Sequence, residues 1–429
     1  MIWPAGRAPT ASAPSRNGSE RNATPGPPPP GRGRWRLTLH HRRYAPNIDP
    51  NTVLIVELVS ATARRLDTAW NTPATLTFTI DGRSPAAALI AELATDVLAW
   101  RWDDPTGQEW CMFRGVVTQT VDTLDEQSHT VTVTCHDYAA LLARRITTSV
   151  MAVTGQDQDQ IALSLLSLAV NVQSSSGVAL QPGGWLPVAG VLVDPSGAGR
   201  GYSGTLRDRT YPPQTGIGTA FDELAKVSGG FDYQANARGD GINIFFPYQG
   251  QGRTDLVLLY GGSVSTVQRT VNSADYANYQ RTLGNNGSSD PMAAQLYSEA
   301  WNADANNVTA APQGLWMAAS NNADVTIQST LDQRAAGDLA LSGVLTPTYT
   351  VGLTPGWYSR TNPNLGDTVA LVVQSGRLNV TTQVRVVGIT YTIGDDGQED
   401  VTLTVGRPLT DLADLFAQTD NDVNALTRR

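Results

Sequence analysis

Two widely separated segments share one pattern, and a chain that repeats a β module is constrained to a repetitive β architecture. The first segment runs Phe113-Arg114-Gly115-Val116-Val117-Thr118, passes an acidic stretch from Asp122 to Glu126, and returns through Val131-Thr132-Val133-Thr134. The second runs Val387-Gly388-Ile389-Thr390-Tyr391, turns at Gly394-Asp395-Asp396-Gly397, and returns through Val401-Thr402-Leu403-Thr404. Each is a β-branched strand entered at a glycine, an acidic turn, and a return strand alternating Val or Leu with Thr. Period-two alternation marks a strand with one buried and one exposed face. The pattern predicts equivalent hairpins in two similar β units, with Gly115 and Gly388 meeting the same backbone need, a kink or a close strand approach.

The 429 residues are enough for two or three domains, and a hydrophobic content of 41% allows most of the chain to bury a core. Charge is unevenly placed. The first 43 residues hold eight arginines against Glu20, a balance of +7, so the rest carries −16 of the overall −9. An acidic body does not adhere to nucleic acid, because phosphate binding needs Lys and Arg to displace counterions. Lys226 is the only lysine. Cys111 and Cys135 both fall in β-rich segments without a CxxC, which reads as two small buried thiols rather than a disulfide. No apolar run approaches the roughly 20 residues of a membrane span, so no membrane insertion is expected. No secretory signal is legible at the N-terminus.

Along the chain, residues 1–33 form a Pro-rich leader ending Pro27-Pro28-Pro29-Pro30-Gly31, expected to be flexible. A proline-motif ligand or a basic arm against an acidic neighbour are its alternative readings. A compact β domain is predicted over 34–148, closed by a short helix that Asp137 caps and whose face carries Tyr138, Leu141 and Leu142. A small α+β domain follows over 149–263. It has helices at 161–170 and 219–228, the latter started by Thr219, and a long Gly, Ser and Pro loop at 173–216. A hairpin joins Phe231–Ala235 to Ile242–Phe246. A second β domain is predicted over 264–408, with a helix near 330–341 carrying Leu331, Ala335 and Leu339 inward. Residues 409–429 read as a polar tail. The fold class is mainly β with an α+β insertion.

No catalytic set emerges, and no cofactor-binding or metal site is assigned. His40 and His41 are adjacent, so on a strand they point to opposite faces and cannot share a metal. His129 borders a turn and His136 a strand end. The chain has no HExxH, no GxSxG and no phosphate loop. Gly197, Gly199, Gly201 and Gly204 lack the strand-to-helix context that cradles phosphate. The turn Asp395-Asp396-Gly397-Gln398-Glu399-Asp400 offers hard oxygens for calcium, but Asp-Gly is among the commonest chemistries of a tight hairpin, and the hairpin is the favoured reading. Ten tryptophans would suit a glycan platform, but they are dispersed, and Trp100-Arg101-Trp102 fits strand alternation.

The run from Phe113 to Val117, the acidic hairpin, Val131 to Cys135 and then His136-Asp137-Tyr138-Ala139-Ala140-Leu141-Leu142-Ala143-Arg144-Arg145 resembles the first domain of bacteriophage tail hub proteins. These are the minor tail proteins of siphophages of actinobacteria, related to the baseplate hubs of contractile tails. Ala220 to Phe231, Asp275-Tyr276-Ala277-Asn278 and the run from Leu365-Gly366-Asp367 to Gly406-Arg407 resemble later parts of such hubs. The order of these motifs over about 35–408 is more specific than any one of them. The resemblance implies two tube-type β-barrel domains in one chain, flanking the α+β domain. It further implies a homotrimer that presents six similar barrels to a hexameric tail tube. The implied partners are the tail tube or distal tail protein, the tape measure protein, other tail tip or fibre proteins, and genomic DNA in transit. The implied place is the tail tip of the virion, after assembly in the host cytoplasm. A glycan-binding tail adhesin and a tail-borne cell-wall hydrolase are the alternatives.

Overall fold

The computed structural model describes residues 35–41, 54–103, 107–170, 191–193, 206–226, 230–236, 241–245, 250–274, 276–284, 295–302, 314–321, 328–358 and 363–406. The leader, most of the 173–216 loop, with its glycines from Gly197 to Gly204, and the 409–429 tail lie outside them. The chain is mostly β, as the alternation predicts.

Seven strands build the N-terminal unit: β1 (Trp35–His41), β2 (Leu54–Glu57), β3 (Thr62–Ala69), β4 (Thr72–Asp81), β5 (Thr95–Asp103), β6 (Gln108–Leu124) and β7 (His129–Asp137). Their order in the sheet is β3-β4-β7-β6-β5-β1-β2. In β4 the alternation is literal: Leu76, Phe78 and Ile80 are buried, while Thr75, Thr77 and Thr79 between them are half-buried. After β7, Asp137 caps a 3₁₀ turn over Tyr138–Arg144 by accepting the Ala139 amide at 3.0 Å.

The middle unit has β8 (Met151–Asp157), α1 (Gln158–Val170), β9 (Val191–Val193), β10 (Leu206–Tyr211), α2 (Ile217–Lys226), β11 (Asp232–Ala235) and β12 (Ile242–Phe245). Strands β8 and β10 pair, and β11-β12-β9 form a second small sheet. Its core is separate, with Ile161, Leu165, Leu224 and Ile244 around Phe221. The Phe221 ring meets Phe231 at 5.1 Å and Tyr233 at 4.8 Å in edge-on geometry. Helix α2 begins at Ile217, two residues before the expected start at Thr219. The Gly216 carbonyl accepts the Ala220 amide, and Asp222 accepts the Tyr233 hydroxyl.

The C-terminal unit comprises β13 (Gly252–Leu259), β14 (Val264–Thr270), β15 (Tyr279–Leu283), β16 (Tyr297–Trp301), β17 (Met317–Asn321), α3 (Gln328–Ser342), β18 (Thr348–Leu353), β19 (Thr368–Ser375), β20 (Leu378–Ile393) and β21 (Glu399–Gly406). Strands β16-β15-β17 form a small sheet under α3, whose Leu331, Ala335 and Leu339 are buried. The others follow the order β14-β18-β21-β20-β19-β13, which repeats β3-β4-β7-β6-β5-β1 position for position. One difference is that β1 lies antiparallel to β5 whereas β13 lies parallel to β19. Strand β13 falls within the range read as the middle domain, yet it pairs with β19, so the C-terminal sheet begins at Gly252.

The two β units are not separate bodies. Strand β20 pairs with β3, which merges them into a 13-stranded sheet, and one hydrophobic cluster runs from Trp35 and Leu37 to Leu403 and Val405. Among the described residues no ladder of paired strands closes either unit into a barrel.

The repeat is real, but its register differs from the glycine alignment. Strand β6 carries a bulge at Thr118, six residues before its last paired residue, Leu124; β20 carries one at Val387, six residues before Ile393. A bulge inserts an extra residue and increases local twist. Aligned on the bulges, Val131 to Thr134 do match Val401 to Thr404, but Gly388 matches Gln119 rather than Gly115. The two glycines also differ in need. A Cβ at Gly115 would stand 2.4 Å from the His136 carbonyl oxygen, whereas at Gly388 its nearest contacts are at an ordinary 3.4 Å. Gly115 therefore serves a close strand approach that Gly388 does not.

Candidate assembly interface

A dense set of polar side-chain contacts lies along the seam between the β units. Strands β3 and β20 pair antiparallel from Gly388 opposite Ala69 to Ile393 opposite Arg64. Side chains reinforce the ladder: Thr68 Oγ1 donates to the Ile389 carbonyl at 3.0 Å, Thr390 Oγ1 donates to Asp67 at 2.6 Å, and Arg64 Nη2 donates to the Gly394 carbonyl at 3.0 Å. On the core face Leu66 sits opposite Tyr391, 0% and 2% exposed.

At the end of this seam the β20–β21 turn delivers Glu399 into the N-terminal unit. Arg101 on β5 binds it through two of its three guanidinium nitrogens, Nε to Oε2 at 2.7 Å and Nη2 to Oε1 at 2.9 Å, and Trp35 Nε1 donates to Oε2 at 2.5 Å. Burial works against the Arg101 charge, but the Glu399 hydrogen bond and carboxylate outweigh it and hold the guanidinium above its ordinary pKa. The guanidinium lies 5.3 Å from the centre of the Tyr358 ring, and the Tyr358 and Tyr391 hydroxyls bond at 2.8 Å. Burial first, then the Tyr358 neighbour, pushes the Tyr391 phenol well above its usual range. These residue types in this arrangement hold structure together; they present no nucleophile or base to solvent.

The middle unit is tied to both β units. Arg385 of β20 pairs with Asp232 of β11, and Arg385 Nε donates to the Gly366 carbonyl at 3.3 Å. On the other side Asn71, held at φ +55° between β3 and β4, accepts the Tyr233 amide at 2.8 Å on its side chain. Its own amide donates back to the Tyr233 carbonyl at 3.2 Å. Trp70 meets Phe245 edge-on at 5.3 Å. Where the three units converge there is a crevice of about 320 Å³, lined by Trp70, Met112, Asp137, Phe245, Tyr358 and Tyr391 among others. Asp137 is buried there, bonded to the Ala74 amide at 2.9 Å, and burial pushes its carboxyl up to about 7.

The residues singled out for chemistry do not converge. His40 is buried and bonds Thr38 Oγ1 at 2.8 Å, whereas His41 is exposed on the other face. His129 pairs with Asp122 at 3.2 Å, and His136 bonds Thr118 Oγ1 at 2.7 Å, its pKa lowered by burial. The Asp395–Asp400 turn forms a hairpin closed by Gly394 and Gln398, with Gly397 at φ +80° and Asp396 Oδ1 accepting the Gln398 amide. Among the described residues no three His, Cys, Asp or Glu side chains are placed to hold a metal. Cys135 is buried, with its thiol pKa pushed up by burial, whereas Cys111 is only partly buried and donates to the Phe113 carbonyl at 3.5 Å; the two form no disulfide. Trp35, Trp70 and Trp102 are core residues, while Trp301 and Trp316 are exposed at 57% and 47% on the small C-terminal sheet and its flank. Sequence reasoning missed Arg101, Glu399, Tyr358, Asp232 and Arg385 as a set, since nothing local links residues so far apart.

No protein-family model and no curated protein sequence matches the chain. Solved structures do. A 43 kDa tail protein of prophage MuSo2 from Shewanella oneidensis is similar with a TM-score of 0.56 at 13% identity, over 87% of this chain and 98% of that one. A tail protein from Neisseria meningitidis is similar at 0.53 and 10% identity, over 87% and 96%. A prophage tail protein from Listeria monocytogenes is similar at 0.50 and 10% identity, over 90% and 98%. The likeness runs nearly end to end in all three: this chain has the fold of bacteriophage tail proteins.

Proposed function

We propose that the protein is a structural hub of a bacteriophage tail. In this reading three copies form a ring of six similar β units that joins the tail tube to the tip and lets DNA pass. The observation that carries it is internal: two units with one strand order are fused edge to edge through β3 and β20, which is the repeating step a ring needs. Fusing two units per chain lets a threefold assembly match a sixfold tube. Its partners would be the tail tube or distal tail protein, the tape measure protein and other tip or fibre proteins. The charge of the body suits passage of DNA, because a lumen rich in Lys and Arg would bind phosphates and stall the genome. The work is closure and docking rather than catalysis.

Native mass measurement of the purified protein, with negative-stain images of it and of tails labelled by an antibody to it, tests this. A threefold ring and label at the tail tip are expected. A chain that stays monomeric in the virion, or an assembled lumen dominated by arginine, overturns the proposal. A second reading, a glycan-binding adhesin, rests on the exposed Trp301 and Met317 that flank Tyr279 across the small C-terminal sheet. Saccharide binding by the isolated protein, lost in Trp301→Ala, would favour it.

A further inference from the structure

Among the described residues the β3–β20 seam has a counterpart whose two edges are not paired with each other. Strand β20 uses its first half to pair with β19 and its second half, beyond the bulge, to pair with β3. Strand β6 uses its first half to pair with β5, but beyond its bulge the same edge, Gln119–Leu124, pairs with no strand among the described residues. Likewise β14, the counterpart of β3, pairs among the described residues with β18 on one edge, and from Thr266 on its other edge meets no strand, Val264 alone bridging Tyr260. Both free edges are exposed: Val121 is 46% and Leu124 72% accessible, and β14 is largely exposed beyond Val264. A long free edge with its amides and carbonyls in a row is a template for another chain.

The two edges cannot serve each other's role in the way β3 serves β20 within one chain, because the chain already spends its single inter-unit seam on β3 and β20. We infer that the β6 edge of one copy receives the β14 edge of a second copy, in the register of the internal seam. This deepens the hub reading and rests on it for the biological setting. The register follows residue by residue. Asp122 lies four residues beyond its bulge, as Tyr391 does. Leu66 reaches Cys135 through Leu76, and Arg269 reaches Val405 through Tyr349, with Cys135 and Val405 at equivalent places beside the bulges. Since Tyr391 faces Leu66, Asp122 faces Arg269 of the second copy, and Leu124 faces its Val267. The register thus sets an exposed carboxylate against an exposed guanidinium and an exposed leucine against a half-buried valine. Opposite charges and apolar pairs directly across a ladder are the favourable ones. Each copy has one edge of each kind, so the contact is head-to-tail and its repetition forms a ring or a filament.

The test uses the full chain with Cys111→Ser. Asp122→Cys combined with Arg269→Cys places two thiols directly opposite, at the roughly 4.5–5.5 Å Cα separation of an antiparallel pair, within disulfide range. Mild oxidation should give a reductant-reversible ladder of multimers. Mixing the two single-cysteine chains should stop at dimers. Val121→Cys with Arg269→Cys, one residue out of register and on the other face, should cross-link at least tenfold more slowly. Asp122→Arg and Arg269→Asp alone should weaken association at least tenfold by sedimentation, and together restore it. Equal cross-linking by the offset pair, or no reversible multimers, overturns the inference. If the native mass still shows a ring, the hub reading stands and only this contact falls; a chain monomeric throughout removes both.

Discussion

Arg101 and Glu399 stand 298 positions apart in the chain and meet in a two-pronged ion pair, 2.7 and 2.9 Å, with both side chains 95% or more removed from solvent. The pair locks the turn of the C-terminal unit into the sheet of the N-terminal one. Removing Glu399 leaves the buried Arg101 with only the more distant Asp103, 3.7 Å away, and removing Arg101 leaves Glu399 without a cation, so Glu399→Ala or Arg101→Ala should cost about 3–5 kcal/mol in urea unfolding, the arginine variant more. An apolar double replacement, Arg101→Met with Glu399→Leu, should cost less than either single change. A double variant as damaged as the singles combined would show that the pair is not acting as a unit.

The two glycines of the repeat give a contrast. Gly115→Ala forces a Cβ to within 2.4 Å of the His136 carbonyl oxygen, and the backbone must shift, costing about 1–3 kcal/mol. Gly388→Ala meets only ordinary contacts and should stay within about 1 kcal/mol of the parent. Thermal unfolding of the two variants side by side decides the matter; equal losses would restore the equivalence that the sequence pattern predicts.

Asp137 makes stability depend on pH. Its carboxyl is pushed from an ordinary 3.8 up to about 7 by burial, which the Ala74 and Ala139 amides oppose without cancelling. The folded state therefore holds a proton that the unfolded chain has lost between these two values. Stability from this group is fully present below pH 3.8, declines as pH rises, and is lost once pH passes about 7. The effect is on the order of a few kcal/mol. In Asp137→Asn the slope over that interval should flatten relative to the parent, measured as Tm against pH. An unchanged slope would assign the pH dependence elsewhere.

Asn71 holds a left-handed backbone at φ +55° and binds the Tyr233 amide through its side chain. Asn71→Gly keeps the backbone and removes the side-chain bond, a loss of about 1–3 kcal/mol if the buried amide goes unpaired. Asn71→Ala loses the bond and adds left-handed strain of roughly 1–2 kcal/mol, so it should unfold at lower denaturant than the glycine variant. The reverse ranking would mean that the turn relaxes out of the left-handed conformation.

The local periodicities of the sequence determined which segments are strands and helices, that a hairpin recurs, and that Asp137 caps the turn after β7, because each depends on residues within a few positions of one another. Alternating Val and Thr in β7 and β21 placed the return strands in matching register. The outgoing strands were not legible in the same way. A β-bulge is set by how the ladder twists rather than by residue type, so Thr118 and Val387 carry no shared letter, and the visible glycines suggested a register four residues off. Tertiary structure alone decided that β13 joins the C-terminal sheet and that β3 and β20 fuse two expected domains into one sheet and core. It also decided that Arg101, Glu399, Tyr358 and Tyr391 meet at one place, and Asp232 and Arg385 at another. Those contacts join residues more than a hundred positions apart, or across a unit boundary, where only the global path of the chain sets the distance.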